Sequence, residues 1–282
     1  MPKDRGGAPY QNLHIYYLEG RLDPHTPFPQ KHFIGNWEED GFSFLFFDRE
    51  SDSAVNRLIV SQPGVTLVDR YTMRYDEWLG EKFQPVQIGR FTIVPPWCRD
   101  DQALTGDHSG STIMLDPGVV FGTGTHPTTR DCLSALEKVC TWNRIDTALD
   151  LGTGTGLLAL AAAKMGCKRI LAADTNYLAV RTARRNIRLN GFESMILPVQ
   201  GSAFDLIERT ADLVIANIHY DVMKGLITAD GFLTKRHFVL SGLLRSQARA
   251  VENSLEKLPV RILEKWDVNG IWHTYMGTTR KG

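Results

Sequence analysis

The sequence predicts an α/β fold with a mostly parallel sheet, preceded by a small α+β domain. From about Asp146 onward, apolar runs alternate with helical stretches, which is typical of a parallel sheet with helices on both faces. Before that point, short β-like runs are separated by Gly, Pro and Asp. We therefore expect two domains, over residues 1–80 and 81–282.

The front section predicts four strands and one helix. The strands are expected over Leu13–Gly20, Phe42–Asp48, Val65–Tyr75 and Phe91–Trp97. The helix is expected within Glu50–Gly64, because Pro63 and Gly64 end its pattern.

The second section predicts helices with marked ends and a closing hairpin. Gly166 and Gly191 follow two periodic stretches, and glycine is the common residue just past a helix end. Another helix is expected near Met223–Leu233. Two β-like runs flank Asn269 and Gly270, a strong hairpin signal that predicts an antiparallel pair at the sheet edge.

Composition excludes several classes of protein. Lys+Arg and Asp+Glu are 32 each, so no basic excess draws the chain to nucleic acid. Residues 1–95 carry 13 acidic against 10 basic residues, which suits a basic partner better than a phosphate backbone, although a solvated face is the plainer explanation of so small a difference. No apolar run approaches the roughly 18 residues of a membrane span, and the N-terminus lacks an apolar leader. Four cysteines without a CxxC pair predict a reduced, cytoplasmic protein without a metal site.

The chain spells Gly-Thr-Gly-Thr twice, and the second copy lies where a ligand is expected. It follows the apolar strand "TALDL" and opens a helix, whose N-terminus offers free N–H groups to an anion. Asp174 lies 22 residues beyond Gly152, after the next strand, where a carboxylate can bind both ribose hydroxyls. These features predict a nucleoside-binding βαβ unit.

The glycine spacing distinguishes between two kinds of cofactor. A dinucleotide fingerprint needs a third glycine where this chain has Leu157. The pattern G-x-G-x-G after Asp150 instead resembles motif I of the class I S-adenosylmethionine-dependent methyltransferases. That resemblance implies a Rossmann-like, seven-stranded methyltransferase domain with S-adenosyl-L-methionine as cofactor. Gly152, Gly154 and Gly156 would form the cofactor-binding turn.

The first copy precedes a helix with an apolar stripe, and alone it predicts a glycine loop with Thr128 or Thr129 as N-cap. The longer stretch "LDPGVVFGTGTHPTTRDCL", however, resembles the signature of the ribosomal protein L11 methyltransferase (PrmA) family. The resemblance continues through "VLSGLL" and "GIWHTYMG", from about Asp76 to the end. In that family this loop closes over the cofactor.

The family resemblance implies a function and a set of contacts. The function is N-methylation of lysine or N-terminal amino groups of ribosomal protein L11, with recognition by the front domain. The implied cofactor contacts are Thr129, Gly152, Asp174 and Asn217, with Gly154, Gly156, Phe121 and Thr128 beside them. No membrane and no direct nucleic-acid partner are expected.

The loop after Asn217 leaves alternatives open. Asn217 is expected to orient the attacking amine. His219 or Asp221 is a candidate for assisting proton removal, although polar packing is the plainer explanation for His219. Tyr220 suggests an alternative class of enzyme. Methyltransferases that act on amino groups of nucleobases or amides resemble one another in an Asn-Pro-Pro-Tyr loop, and this chain has the Asn and the Tyr of that loop but neither proline. Another protein substrate and a non-catalytic cofactor-binding protein are further alternatives. The arginines of "RTARRNIR" are interpreted as a solvated face.

Overall fold

The chain forms two compact units, Met1–Gln84 and Pro85–Gly282. The structure, a computed structural model, describes residues 8–23, 28, 31–39, 41–80, 83–98 and 111–280. Most of the N-terminal stretch that was expected to carry no apolar leader lies outside these residues.

A four-stranded antiparallel sheet forms the first unit, in the order β2-β3-β1-β4. Its elements are β1 (Asn12–Glu19), β2 (Phe33–Glu39), β3 (Phe42–Phe47), α1 (Asp52–Val60), β4 (Thr66–Arg74) and α2 (Tyr75–Trp78). The prediction of β1, β3, α1 and β4 is confirmed. The sequence prediction missed β2, because a register shift between Phe33 and Gly35 and two exposed glutamates interrupt its alternation.

The helix α1 covers one face of this sheet. Buried residues from the sheet and the helix form one apolar cluster there: Tyr16, Leu18, Leu22, Leu45, Phe47, Val55, Leu58 and Val65. The hydroxyl of Tyr16 donates to Asp52 at 2.8 Å, and burial raises the pKa of Tyr16 to about 12. The side chains on the other face of the sheet therefore do not belong to the apolar cluster under α1.

The second unit begins with a small three-stranded sheet of β5 (Val86–Ile88), β6 (Phe91–Val94) and β7 (Thr112–Met114). The strand predicted over Phe91–Trp97 was too long. It ends at Val94, and the 3-10 helix Pro96–Cys98 follows, because proline cannot donate to a ladder.

The large sheet has seven strands in the order β10-β9-β8-β11-β12-β14-β13, which confirms the predicted Rossmann-like α/β fold. The strands are β8 (Thr147–Leu151), β9 (Arg169–Asp174), β10 (Ile196–Gln200), β11 (Leu213–Asn217), β12 (His237–Leu244), β13 (Val260–Val268) and β14 (Trp272–Thr279). The first five in the order are parallel, and β14 is antiparallel to both neighbours. Strand order reverses between β8 and β11, and open α/β sheets bind ligands in the crevice beyond the carboxyl ends of the strands at such a point.

Helices pack on the large sheet. They are α3 (Pro127–Trp142), α4 (Leu157–Lys164), α5 (Tyr177–Leu189), α6 (Ala203–Leu206), α7 (Tyr220–Leu226) and α8 (Arg245–Leu255). The single helix predicted over Met223–Leu233 is wrong. Its first half belongs to α7, and the extended backbone of Ala229 separates α7 from the 3-10 helix Asp230–Thr234.

The closing hairpin is confirmed. Asn269 and Gly270 both have positive φ, 56° and 68°, as a two-residue hairpin turn requires. The hairpin places β13 at the edge of the sheet and β14 between β13 and β12.

None of the described helices is long and apolar enough to cross a membrane. The described part of the chain also holds no group of three His, Cys, Asp or Glu side chains able to bind a metal ion.

Candidate functional site

The glycine loop between β8 and α4 is held in one conformation by its neighbours. Gly152, Gly154 and Gly156 all have positive φ, between 53° and 85°. A Cβ on Gly154 would overlap the carbonyl oxygen of Phe121, and a Cβ on Gly152 would overlap the side chain of Ile218. Both positions therefore require glycine for space as well as for backbone conformation.

Asp150 links β8 to the glycine loop and to the start of α4 through hydrogen bonds. It is fully buried at the end of β8, and its Oδ2 accepts from Thr153 Oγ1 at 2.6 Å and from the Ala159 amide at 3.1 Å. Burial raises the pKa of Asp150 to about 7. Its Oδ1 is buried and has no hydrogen-bond partner among the described residues, so the site keeps one unsatisfied acceptor.

Asp174 lies at the carboxyl end of β9, directly beside the glycine loop. Its Oδ2 accepts from the Gly154 amide at 3.1 Å and its Oδ1 accepts from the Asn176 amide at 2.9 Å. Burial raises the pKa of this carboxyl. Each carboxylate oxygen has a second lone pair, so the group retains the capacity to accept from two further hydroxyls.

The loop of the first Gly-Thr-Gly-Thr copy packs on the loop of the second. The Thr155 amide donates to the Phe121 carbonyl at 3.0 Å, and Thr155 Oγ1 donates to the Gly122 carbonyl at 2.5 Å. The Phe121 side chain is 48% exposed, and its ring meets the ring of His126 edge-on at 5.2 Å. The two copies therefore form one double loop at the carboxyl edge of the sheet.

The start of α3 differs from the prediction. His126 is the N-cap, with Nδ1 accepting from the Thr128 amide at 3.3 Å, so the expectation of Thr128 or Thr129 as cap is wrong. Pro127 explains the shift, since proline is favoured at the first helical position. Burial lowers the pKa of His126, which keeps the ring neutral and able to accept.

Thr128 and Thr129 are both 1% exposed, in the first turn of α3. Thr128 Oγ1 lies 2.7 Å from His126 Nδ1, whereas Thr129 Oγ1 is buried with no partner among the described residues. A buried, unpaired hydroxyl costs free energy unless a ligand satisfies it. The orphaned Thr129 hydroxyl therefore marks a position where a polar ligand group fits.

Asn186, a residue that sequence reasoning missed, joins the two loops from α5. Its Nδ2 donates to the carbonyls of Asp116 and Thr155, each at 2.9 Å, and its Oδ1 accepts from the Asp116 amide at 2.8 Å. The signal was available: Asn186 is a polar residue on the buried face of α5, and such residues need partners. The interpretation of the α5 arginines as a solvated face is wrong for Arg185, because Arg185 pairs with buried Asp116 at 2.8 Å.

Asn217 ends β11, at the crevice next to β8. It is half-buried and pairs in register with Ser241 of β12. Gly242 follows Ser241 with a φ of 86°, and a Cβ there would lie 3.0 Å from Asn217 Oδ1 and 2.8 Å from the Ile218 carbonyl oxygen. Gly242, which the sequence interpretation did not single out, therefore provides the space in which the Asn217 amide lies.

The three residues after Ile218 differ in their surroundings. His219 is exposed at the N-cap of α7, without a side-chain capping bond. Asp221 pairs with Lys224 at 2.8 Å, and this lysine lowers the pKa of Asp221. Tyr220 is half-buried at the start of α7, beneath the ammonium group of Lys224. A catalytic role for His219 stays a prediction.

The predicted positions gather at one edge of one sheet. Gly152, Asp174 and Asn217 lie at the carboxyl ends of β8, β9 and β11, which are neighbours in the sheet. The loop with Phe121 contacts the glycine loop, and the Thr128 carbonyl lies 3.5 Å from Ser241 Oγ, beside Asn217 in register. A seven-stranded sheet with a glycine loop after β8, a buried aspartate near the end of that strand and a carboxylate at the end of the neighbouring β9 defines the Rossmann-like methyltransferase class of fold.

Comparisons with known proteins identify the family. The model of the ribosomal protein L11 methyltransferase (PrmA) family matches residues 55–279. The chain belongs to this family, as the first-loop signature implied.

Relatives and one solved structure agree with this assignment. A ribosomal protein L11 methyltransferase of Listeria monocytogenes serotype 4b (strain CLIP80459) is 39% identical over 195 residues, which are 67% of this chain and 60% of that protein. One of Bacillus pumilus (strain SAFR-032) is 39% identical over 186 residues, 64% of this chain and 58% of that protein. The match thus spans about 60% of the length of these curated relatives. The crystal structure of ribosomal protein L11 methylase from Lactobacillus delbrueckii subsp. bulgaricus has a TM-score of 0.61 at 29% identity, covering 70% of this chain and 100% of that one.

Proposed function

We propose that the protein is an S-adenosylmethionine-dependent N-methyltransferase that methylates lysine or N-terminal amino groups of ribosomal protein L11. Family membership and the names of the relatives support the reaction and the substrate. The observation that carries the proposal for this chain is the double loop, because it places glycines, a carboxylate and an orphaned hydroxyl around one crevice. Such an enzyme would act in the cytoplasm.

The residues present fit the cofactor. Asp174 retains lone pairs for two ribose hydroxyls, and the glycine loop admits a ligand close to the backbone. The Thr129 hydroxyl is buried and has no partner within the described part of the chain, and as a donor it suits a carboxylate such as that of the methionine part. Phe121 and Thr128 would belong to the loop that closes over the methionine end of the cofactor.

When bound, S-adenosylmethionine supplies a methyl group on a positive sulfonium, so the protein mainly has to orient the nucleophile and exclude water. A lysine amine must be neutral to attack, whereas its solution pKa is about 10.4. Desolvation beside a positive charge lowers that value. We assign Asn217 the role of holding the amine, since its side-chain amide lies at the open carboxyl edge beside the glycine loop.

The test is intact-mass analysis of purified ribosomal protein L11 after incubation with this protein and S-adenosylmethionine. We expect mass increases in steps of one methyl group, and a loss of these increases with Asn217→Ala. Replacing Asn253, which is exposed on α8, by alanine is the matched control and should leave methylation unchanged.

Two results would contradict the proposal. Absence of a mass increase, with cofactor binding shown separately, would leave a methyltransferase for another protein or a cofactor-binding protein. Methylation of a nucleobase or amide substrate instead would favour the alternative suggested by Tyr220. Full activity of Asn217→Ala would remove the role given to that residue.

A further inference from the structure

The sheet face opposite α1 carries aromatic and acidic residues in adjacent cross-strand rows. Register places Glu39, Phe42 and Glu19 in one row across β2, β3 and β1. The next row holds Trp37, Phe44, Tyr17 and Asp69. We call these two rows the aromatic-acidic face; none of its residues is a lysine or an arginine.

The aromatic rings of this face contact one another and stay partly exposed. The rings of Tyr17 and Phe44 stack with centroids 4.8 Å apart and planes 11° apart. The rings of Tyr17 and Phe42 lie 5.1 Å apart in a tilted arrangement. Trp37 pairs in register with Phe44, and all four side chains are half-buried. Four aromatic side chains thus lie at neighbouring positions on β1, β2 and β3, and ring contacts join Tyr17 to Phe42 and Phe44.

The following row shows what a covered part of the same face looks like. Phe46 is 3% exposed, and the ring of Trp78 from α2 packs on it edge-on at 5.3 Å. The aromatic-acidic face has no such cover in the described part of the first unit, since α1 lies on the other side of the sheet.

Exposed carboxylates share the face with these rings. Glu19 and Glu39 are both exposed in the row of Phe42, and Asp69 is exposed beside Tyr17. Asp69 Oδ1 accepts from the Arg70 amide at 2.8 Å, which fixes its position on the edge strand β4. Three carboxylates around an aromatic surface create a negative potential, and the negative faces of the rings add to it.

We propose that the aromatic-acidic face binds a lysine- or arginine-bearing segment of the protein substrate. An ammonium or guanidinium over an aromatic ring is attracted to its face, and the neighbouring carboxylates supply charged hydrogen-bond acceptors. The inference rests on the proposed function, and it assigns the chemistry by which the first unit would hold its substrate.

Charge decides against a nucleic acid as occupant. Aromatic residues on neighbouring strands of a sheet are also the means by which RNA-recognition domains stack unpaired bases. Such sheets, however, need basic residues to neutralise phosphates, and this face offers only carboxylates. Its charge therefore complements a cationic peptide segment.

The experiment uses two neighbouring glutamates on β2. Glu39 lies on the aromatic-acidic face, and Glu38 pairs with buried Ser43, which places it on the opposite side of the strand. Both are exposed, so Glu39→Lys and Glu38→Lys make the same charge change on opposite faces. The measurements are binding of ribosomal protein L11 without cofactor, and KM and kcat for its methylation, with the unfolding midpoint as a folding check.

The proposal predicts at least about tenfold weaker binding and a correspondingly higher KM for Glu39→Lys, with kcat unchanged at saturation. Glu38→Lys should behave as wild type, and added salt should weaken wild-type binding more than that of Glu39→Lys. Equal values for the two variants and wild type would overturn the proposal.

A second probe separates the occupants. A twelve-nucleotide oligouridylate should not compete with ribosomal protein L11; competition that strengthens in Glu39→Lys would show an RNA surface and overturn the proposal. Binding of L11 that Glu39→Lys weakens, without any methylation by wild type, would support the face and refute the proposed function. Methylation with identical KM values in wild type and both variants would support the proposed function and refute binding at the aromatic-acidic face.

Discussion

Replacing Gly154 by alanine is expected to weaken binding of S-adenosylmethionine by at least about tenfold. Gly154 has a φ of 53°, and an L-residue in that conformation costs roughly 1–2 kcal/mol. The new methyl group would also overlap the Phe121 carbonyl oxygen, so the two loops have to separate. When about 1.4 kcal/mol of this cost is present only with the cofactor bound, the affinity for the cofactor falls tenfold.

The control for Gly154 is Gly191. Its φ is 70°, and a Cβ there would meet nothing within 4 Å, so Gly191→Ala carries similar backbone strain without the overlap. Calorimetric titration with S-adenosylmethionine should show nearly wild-type affinity for Gly191→Ala, with a lower unfolding midpoint. Equal affinities of the two variants would refute the role given to the close approach of the loops.

Replacing Asn186 by leucine should destabilise the second unit by about 3 kcal/mol or more. The substitution keeps the approximate volume but leaves the Asp116 amide and carbonyl and the Thr155 carbonyl without their partner. A buried polar group without a partner costs roughly 1–3 kcal/mol. For a unit of this size the unfolding midpoint should fall by roughly 6–12 °C.

Differential scanning calorimetry measures this effect, and Asn253→Leu is its control. Asn253 is exposed in α8, and a surface change of this kind should stay within about 0.5 kcal/mol. If Asn186→Leu unfolded at the same temperature as Asn253→Leu, the hydrogen bonds of Asn186 to Asp116 and Thr155 would not stabilise the second unit as we expect.

Regular patterns made most of the fold predictable. The alternation of apolar strands with helices predicted the mostly parallel sheet, the family resemblance implied its seven strands, and Asn269-Gly270 predicted the closing hairpin. Local chemistry that departs from the pattern caused the errors. The register shift in β2 hid a strand, and the extended backbone of Ala229 divides what the sequence presents as one helix.

The gathering of the candidate site residues was predictable because strand ends in a parallel sheet meet at one edge. Its supporting contacts were not, since they join residues far apart in the chain. Asn186 bonds Asp116 across 70 positions, and Gly242 makes room for Asn217 from a different strand. A single sequence identifies a glycine or an asparagine there but does not pair it with its distant neighbour.

The most direct test of the account is the affinity for S-adenosylmethionine of the wild type and of Asp174→Ala. We place the ribose on Asp174, whose carboxylate also accepts from the Gly154 amide. Loss of hydrogen bonds to a charged group costs about 1.5–3 kcal/mol, so affinity should fall roughly 10- to 100-fold. Asp205→Ala, at an exposed aspartate of α6, should bind as wild type. Unchanged affinity of Asp174→Ala, or a wild type that does not bind the cofactor, would contradict the assignment of this edge as the cofactor site.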